Sequence, residues 1–149
     1  MAAYLSTELG GSANQTSAPV GYKPRATVYN ARLKRLRATF TYNTQTTSDT
    51  LVIGNLPAGA TFAFGLITTS ASMGTATLAI GITGTTGKYK AAGSAITATD
   101  TPTLFGIATI AGASDPALSA EEQVIGTIGT ASLPGSGTLV VDIFYSLPN

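Results

Sequence analysis

The amino-acid sequence predicts an all-β fold: an antiparallel, jelly-roll-like β-sandwich preceded by an extended N-terminal arm. Three observations carry this expectation. Apolar and polar residues alternate in short runs, the signature of strands with one buried face. Gly, present 17 times, and Pro, present 7 times, punctuate those runs. The apolar stretches are also too rich in Gly and Thr for helices, since Gly costs about 1 kcal/mol per helical position.

Residues 1–24 differ from the rest. Small and polar residues predominate, with Tyr4, Leu5, Leu9, Val20 and Tyr22 spaced without period and Tyr22-Lys23-Pro24 closing the run. This reads as an extended arm whose apolar residues could anchor it on a neighbouring subunit; a leader without fixed structure is the plainer reading. Residues 25–149 are expected to form one sandwich domain, a size able to bury a core of its own.

Strands are expected near residues 25–30, 33–43, 49–55, 60–69, 75–83, 88–92, 103–110, 122–131 and 137–146. In the second of these, Leu36, Ala38, Phe40 and Tyr42 alternate with Arg35, Arg37, Thr39 and Thr41, so the core face and a cationic outer stripe separate cleanly. In ATFAFGLITT the alternation puts Phe62, Phe64 and Leu66 on the buried face. In TATLAIGI it puts Ala76, Leu78, Ile80 and Ile82 inward, with Thr75 and Thr77 outward.

The turns have chemical causes. Leu56-Pro57-Ala58-Gly59 couples a fixed φ to a residue free to take positive φ, and Leu133-Pro134-Gly135-Ser136-Gly137 repeats the device. Both separate strands that could pair antiparallel. Ser119-Ala120-Glu121-Glu122 has capping-box spacing, so GASDPALSAEE is expected to hold one short helical turn and the rest of the chain almost no helix.

Charge is scarce. Charged residues make up 10% of the chain, against roughly 25% in ordinary soluble domains. The run from Thr50 to Gly87 has no charged side chain, yet its glycines and threonines exclude the membrane helix of about twenty apolar residues. The net charge of +1 conceals a basic segment in which Lys23, Arg25, Arg32, Lys34, Arg35 and Arg37 supply every cation except Lys88 and Lys90. An ion-paired protein interface, a phosphate-binding stripe and a solvated face all fit that segment. Nucleic acid is disfavoured, because the net charge is low and Tyr29 is the one nearby aromatic available for stacking.

Catalytic chemistry finds little to work with. His and Cys are both absent, which removes the commonest general base, metal ligand and thiol nucleophile. Asp49, Asp100, Asp115 and Asp142 are scattered, and Glu121 and Glu122 adjoin in an expected surface turn, so these carboxylates read as solvated turn or strand-end residues. Gly81–Lys88 misses the phosphate-loop spacing, with Ile82 and Tyr89 at the positions that need Gly and Ser or Thr, and reads as a hairpin. No enzyme, cofactor or metal is expected. The N-terminus lacks the basic start and apolar stretch of a secretory signal, so Asn14-Gln15-Thr16 is a chance glycosylation match and synthesis in a cytoplasm is expected.

The order of several segments resembles small virion proteins of tailed bacteriophages: Asp49-Thr50-Leu51, the turn Leu56–Ala60, the strand Gly74–Gly81, then Lys88–Ala92, Asp100–Gly106 and the final Gly137–Ser146. The similarity covers about residues 25–147. It implies a β-sandwich that caps or cements a capsid shell, commonly as a trimer, with the major capsid protein and sister copies as partners and no membrane involved. The expected location is the capsid surface, after synthesis in the host cytoplasm. The interface residues expected on this reading are Tyr4, Leu5, Leu9, Tyr22, Lys23, Arg25, Arg32, Arg35 and Arg37. The alternative is a head-fibre, tail or baseplate module touching the host surface; an exported adhesive module and an enzyme come after it.

Overall fold

A computed structural model describes residues 32–93, 95–106 and 117–147. Eight strands follow in order: β1 (Leu33–Thr41), β2 (Thr50–Leu56), β3 (Thr61–Thr69), β4 (Thr77–Ile82), β5 (Thr85–Lys90), β6 (Thr103–Phe105), β7 (Glu122–Gly129) and β8 (Thr138–Ser146). They build two four-stranded sheets, β1-β8-β3-β6 and β2-β7-β4-β5. No helix occurs among the described residues.

The antiparallel pairs are nested: β1 with β8, β2 with β7, β3 with β6 and β4 with β5. The eight strands thus form one long hairpin, bent at β4–β5, whose arms close two sheets over a common core in a sandwich-like arrangement. The β4–β5 bend is the hairpin expected from Gly81–Lys88, with Ile82 opposite Thr85 across Thr83-Gly84.

Alternation decides which side chains the sheets enclose. Ile67, Leu139, Val141 and Ile143 enter from the first sheet, and Leu56, Leu78, Ile80, Val124 and Ile128 from the second, all into one buried cluster. Each contributes about 1.5–3 kcal/mol by leaving water. Leu36, Ala38 and Phe40 pack against the cluster and Tyr42 is buried within it, as the alternation of β1 predicts. The sheets meet closely where the Phe62 ring lies 4.7 Å from that of Tyr89.

In β3 the predicted face is only partly right. Phe62 is opposite Tyr145, whereas Phe64 is opposite Phe144, with a register shift between them. This bulge inserts one extra residue and reverses the phase. Phe62 therefore packs on the core, while Phe64 and Leu66 lie on the outer face and Gly65 and Ile67 take the inner positions. Gly65 is required there, because a Cβ on it would sit 2.0 Å from Phe105 Cζ.

The turns form as chemistry suggests but lead elsewhere. Ala60 N–H donates to the Pro57 carbonyl at 3.1 Å, and Gly59 takes φ 81°. The turn nevertheless carries the chain from the second sheet to the first, as does the segment between β7 and β8, so neither pair of flanking strands is hydrogen-bonded. Partners are fixed by the rolled topology, not by sequence adjacency.

The expected helical turn is not seen in residues 117–121, which bend into β7. Glu122 is the first residue of that strand, opposite Leu56, and its carboxylate is held by Lys88 and Tyr89. It cannot also reach back to cap Ser119. Thr75 likewise lies in the turn before β4 and not on a strand. The strand expected near 25–30 and the arm over 1–24 lie outside the described residues.

Candidate interaction surface

The outer face of the β1-β8-β3-β6 sheet collects the chain's most distinctive side chains. Register places Arg37 opposite Asp142, Arg35 opposite Phe144 and Leu33 opposite Ser146 across β1 and β8. It continues from Phe144 to Phe64 and from Asp142 to Leu66 on β3, then from Leu66 to Leu104 on β6. One row therefore reads Arg37, Asp142, Leu66, Leu104, and the next reads Arg35, Phe144, Phe64.

Asp142 organises this face. Arg37 Nε–H donates to its Oδ1 at 2.7 Å and Nη2–H to its Oδ2 at 2.6 Å, a two-pronged fork that matches guanidinium to carboxylate geometry. Arg35 Nε stands 3.8 Å from the same carboxylate. The fork from Arg37, aided by the charges of both arginines, outweighs burial and holds the Asp142 pKa below its ordinary value. Two guanidinium groups share one carboxylate, so the cluster keeps a positive charge.

Beside it lies apolar surface. Phe64 and Phe144 stack with centroids 4.7 Å apart and planes 20° apart, a separation within the range of favourable aromatic pairs. Leu104 is 48% exposed and Leu33 55% exposed, two large apolar side chains left facing water at opposite edges of the sheet. Phe144, Phe64, Leu66 and Leu104 adjoin by register, and adjoining exposed apolar side chains mark contact sites more often than isolated ones do.

The outer face of the other sheet is different in kind. Thr50 and Val52 on β2, Gln123, Ile125 and Thr127 on β7, and Thr77, Ala79 and Gly81 on β4 share it by register. None is charged. Thr77 and Thr130 share a hydroxyl hydrogen bond at 3.2 Å.

Ion pairing recurs on the second sheet, between its edge strand β5 and the start of β7. Lys88 Nζ donates to Glu122 Oε2 at 2.6 Å and the Tyr89 hydroxyl to the same oxygen at 2.7 Å. Burial raises the Glu122 pKa, but these donors and the Lys88 charge more than offset it, leaving it lowered. Lys90 Nζ donates to the Leu78 carbonyl at 2.7 Å, and burial lowers its pKa. Among the described residues no group of three or more His, Cys, Asp or Glu side chains comes together.

Of the residues expected at an interface, Arg35 and Arg37 lie together on this outer face and Arg32 is exposed just before β1. Tyr4, Leu5, Leu9, Tyr22, Lys23 and Arg25 lie outside the described residues. Asp142 departs from expectation: it sits mid-strand, only 7% exposed, and is neither scattered nor at a strand end. Its signal was present in Leu139–Ser146, where Val140, Asp142 and Phe144 are the alternate set to the inward Leu139, Val141, Ile143 and Tyr145. Phe64, Leu66 and Leu104 had no such signal.

No protein-family model matches the chain, and no curated protein matches its sequence. Solved structures do. A chain of the capsid asymmetric unit of cyanophage Pam1 superposes with a TM-score of 0.61 at 21% identity, covering 92% of this chain and 96% of that one. The fold is that of phage capsid chains. The same capsid-chain fold is seen in the capsid of Ralstonia phage GP4, with a TM-score of 0.59, 16% identity, and 79% and 86% of the two chains covered. The likeness to phage virion proteins read from the sequence therefore holds at the level of fold.

Proposed function

We propose that this chain is a structural, non-catalytic protein of a bacteriophage virion, and specifically a decoration or cement protein that stabilises the head by binding across joints between major capsid proteins. The observation that carries this reading is the shared fold over nearly the full length of both this chain and a phage capsid chain. The scarcity of charge and the two unlike outer faces support it, because a subunit covered by neighbours needs less charged surface than a free monomer.

On this reading the protein is a homo-oligomer, a trimer by preference, located on the capsid surface after synthesis in the host cytoplasm. Its chemistry is interfacial. The arm residues Tyr4, Leu5, Leu9 and Tyr22, with Lys23, Arg25, Arg32, Arg35 and Arg37, make the contacts, and many modest contacts on a symmetric lattice add by avidity. The test is to add purified protein to capsids that lack it and to measure heat resistance and solution mass. Decorated capsids withstand higher temperature and the free protein is oligomeric; a strict monomer that leaves capsid melting unchanged would sink the reading. A map of the whole particle separates head from tail.

A further inference from the structure

Beyond this role, and resting on its homo-oligomeric part, we infer that the outer face of the β1-β8-β3-β6 sheet is the docking surface for the N-terminal segment Tyr4–Leu9 of a second copy. The face offers two chemistries side by side: the apolar ground of Phe64, Phe144, Leu66 and Leu104, and the guanidinium groups of Arg35 and Arg37 around one carboxylate. Arg37 is committed to Asp142 by two hydrogen bonds, but Arg35, at 3.8 Å, is not, and its side chain is 52% exposed. The ligand this surface fits is a short peptide that is apolar with one carboxylate.

The chain contains such a peptide. Glu8 is the one acidic residue before Asp49, and it lies in Tyr4-Leu5-Ser6-Thr7-Glu8-Leu9, flanked by large apolar side chains. Its carboxylate pairs with Arg35 while Tyr4, Leu5 and Leu9 cover the aromatic pair and Leu104. Length permits delivery to a neighbour. The residues between Leu9 and Leu33 can extend about 80 Å, whereas the face is four strands wide, about 15 Å. Packing the face against its own copy is disfavoured, because it would set Arg35 and Arg37 against the same groups with no free carboxylate between them.

The absence of cysteine from the chain makes a direct test clean. Full-length Leu5→Cys and Leu104→Cys variants, each checked for unchanged melting, are mixed and oxidised, with one carrying a mass tag. The expected result is a disulfide between the two different chains, with none between Leu5→Cys and the control Thr50→Cys on the other sheet. Glu8→Arg on the arm lowers the yield by at least about tenfold, and Arg35→Glu on the partner restores it. A yield no higher than the control overturns the inference, as does a Leu5→Cys/Leu104→Cys double variant that forms its disulfide only within single, diluted chains. Capsid protection by the wild-type protein with no cross-link between the two cysteine variants defeats this inference and leaves the proposed function standing; failure of the wild-type protein to protect capsids defeats that function whatever the cross-link shows.

Discussion

The two outer faces of the sandwich are built from the same kind of strand and differ in what those strands display. One carries a guanidinium–carboxylate cluster beside a stacked aromatic pair, the other only Thr, Ala, Gly, Gln and single aliphatic residues. The first face has directional, charge-assisted contacts, which confer specificity. The second, over β2, β7 and β4, is uncharged, suited to close approach with little desolvation cost. Both cover the same core, so the difference is not demanded by folding.

The comparison can be broken most severely from inside. Gly65→Val should destabilise the protein by about 3 kcal/mol or more, because the added carbons overlap the buried Phe105 ring. The first face should then lose its order, read as a lowered denaturant midpoint and as exchange of the β3 and β8 amides. Phe144→Ala comes next, at about 2 kcal/mol, from the lost stack with Phe64 and the lost apolar contact. If the two faces were equivalent, Ile125→Ala on the second face would alter solution mass as strongly as Phe144→Ala; the expectation is that Phe144→Ala has the larger effect.

Acid tests the same asymmetry through charge. The folded-state pKa of Asp142 is depressed by Arg37, so its stabilisation is present above the unfolded carboxylate pKa, near about 4, and is lost as pH falls through the folded value. Glu122 behaves in the same sense through Lys88 and Tyr89. Asp142→Asn should therefore lower the melting temperature at neutral pH and flatten its decline at acid pH, as thermal scans across that range would show. An unchanged pH profile would remove the cluster from the stability argument.

The smallest effect on folding belongs to the second face. Thr77→Lys gives up one hydroxyl contact with Thr130 and should change stability by no more than about 0.5 kcal/mol. If sister subunits or the shell cover this face, the same substitution lowers solution mass or capsid binding. A charge accepted there without consequence would leave the aromatic face as the one contact surface of the pair.

Much of this was legible in the sequence because a half-buried strand writes its two faces as alternate letters. The inward set of β1 and the inward Leu78 and Ile80 of β4 follow directly from that period. Phe64 and Leu66 were misplaced because the bulge after Phe62 has no local signature; it is fixed by β8, a strand distant in sequence. The capping box at Ser119 misled for a related reason: Glu122 spends its carboxylate on Lys88 and Tyr89 from another strand. The cationic stripe was readable in β1, but its anion comes from β8, and no spacing rule joins residues separated by 105 positions.

That separation also sets a timetable. β8 is the last of the eight described strands to be made, yet it lies between β1 and β3 and supplies both Asp142 and Phe144. On a growing chain the first sheet has no middle, and loop closure between such distant partners is slow. β2 through β7 can pair earlier, so the neutral face can order while the cationic–aromatic one does not yet exist. Translation therefore acts as a timer: a nascent chain cannot present the Asp142 carboxylate or the Phe64–Phe144 stack until β8 has emerged.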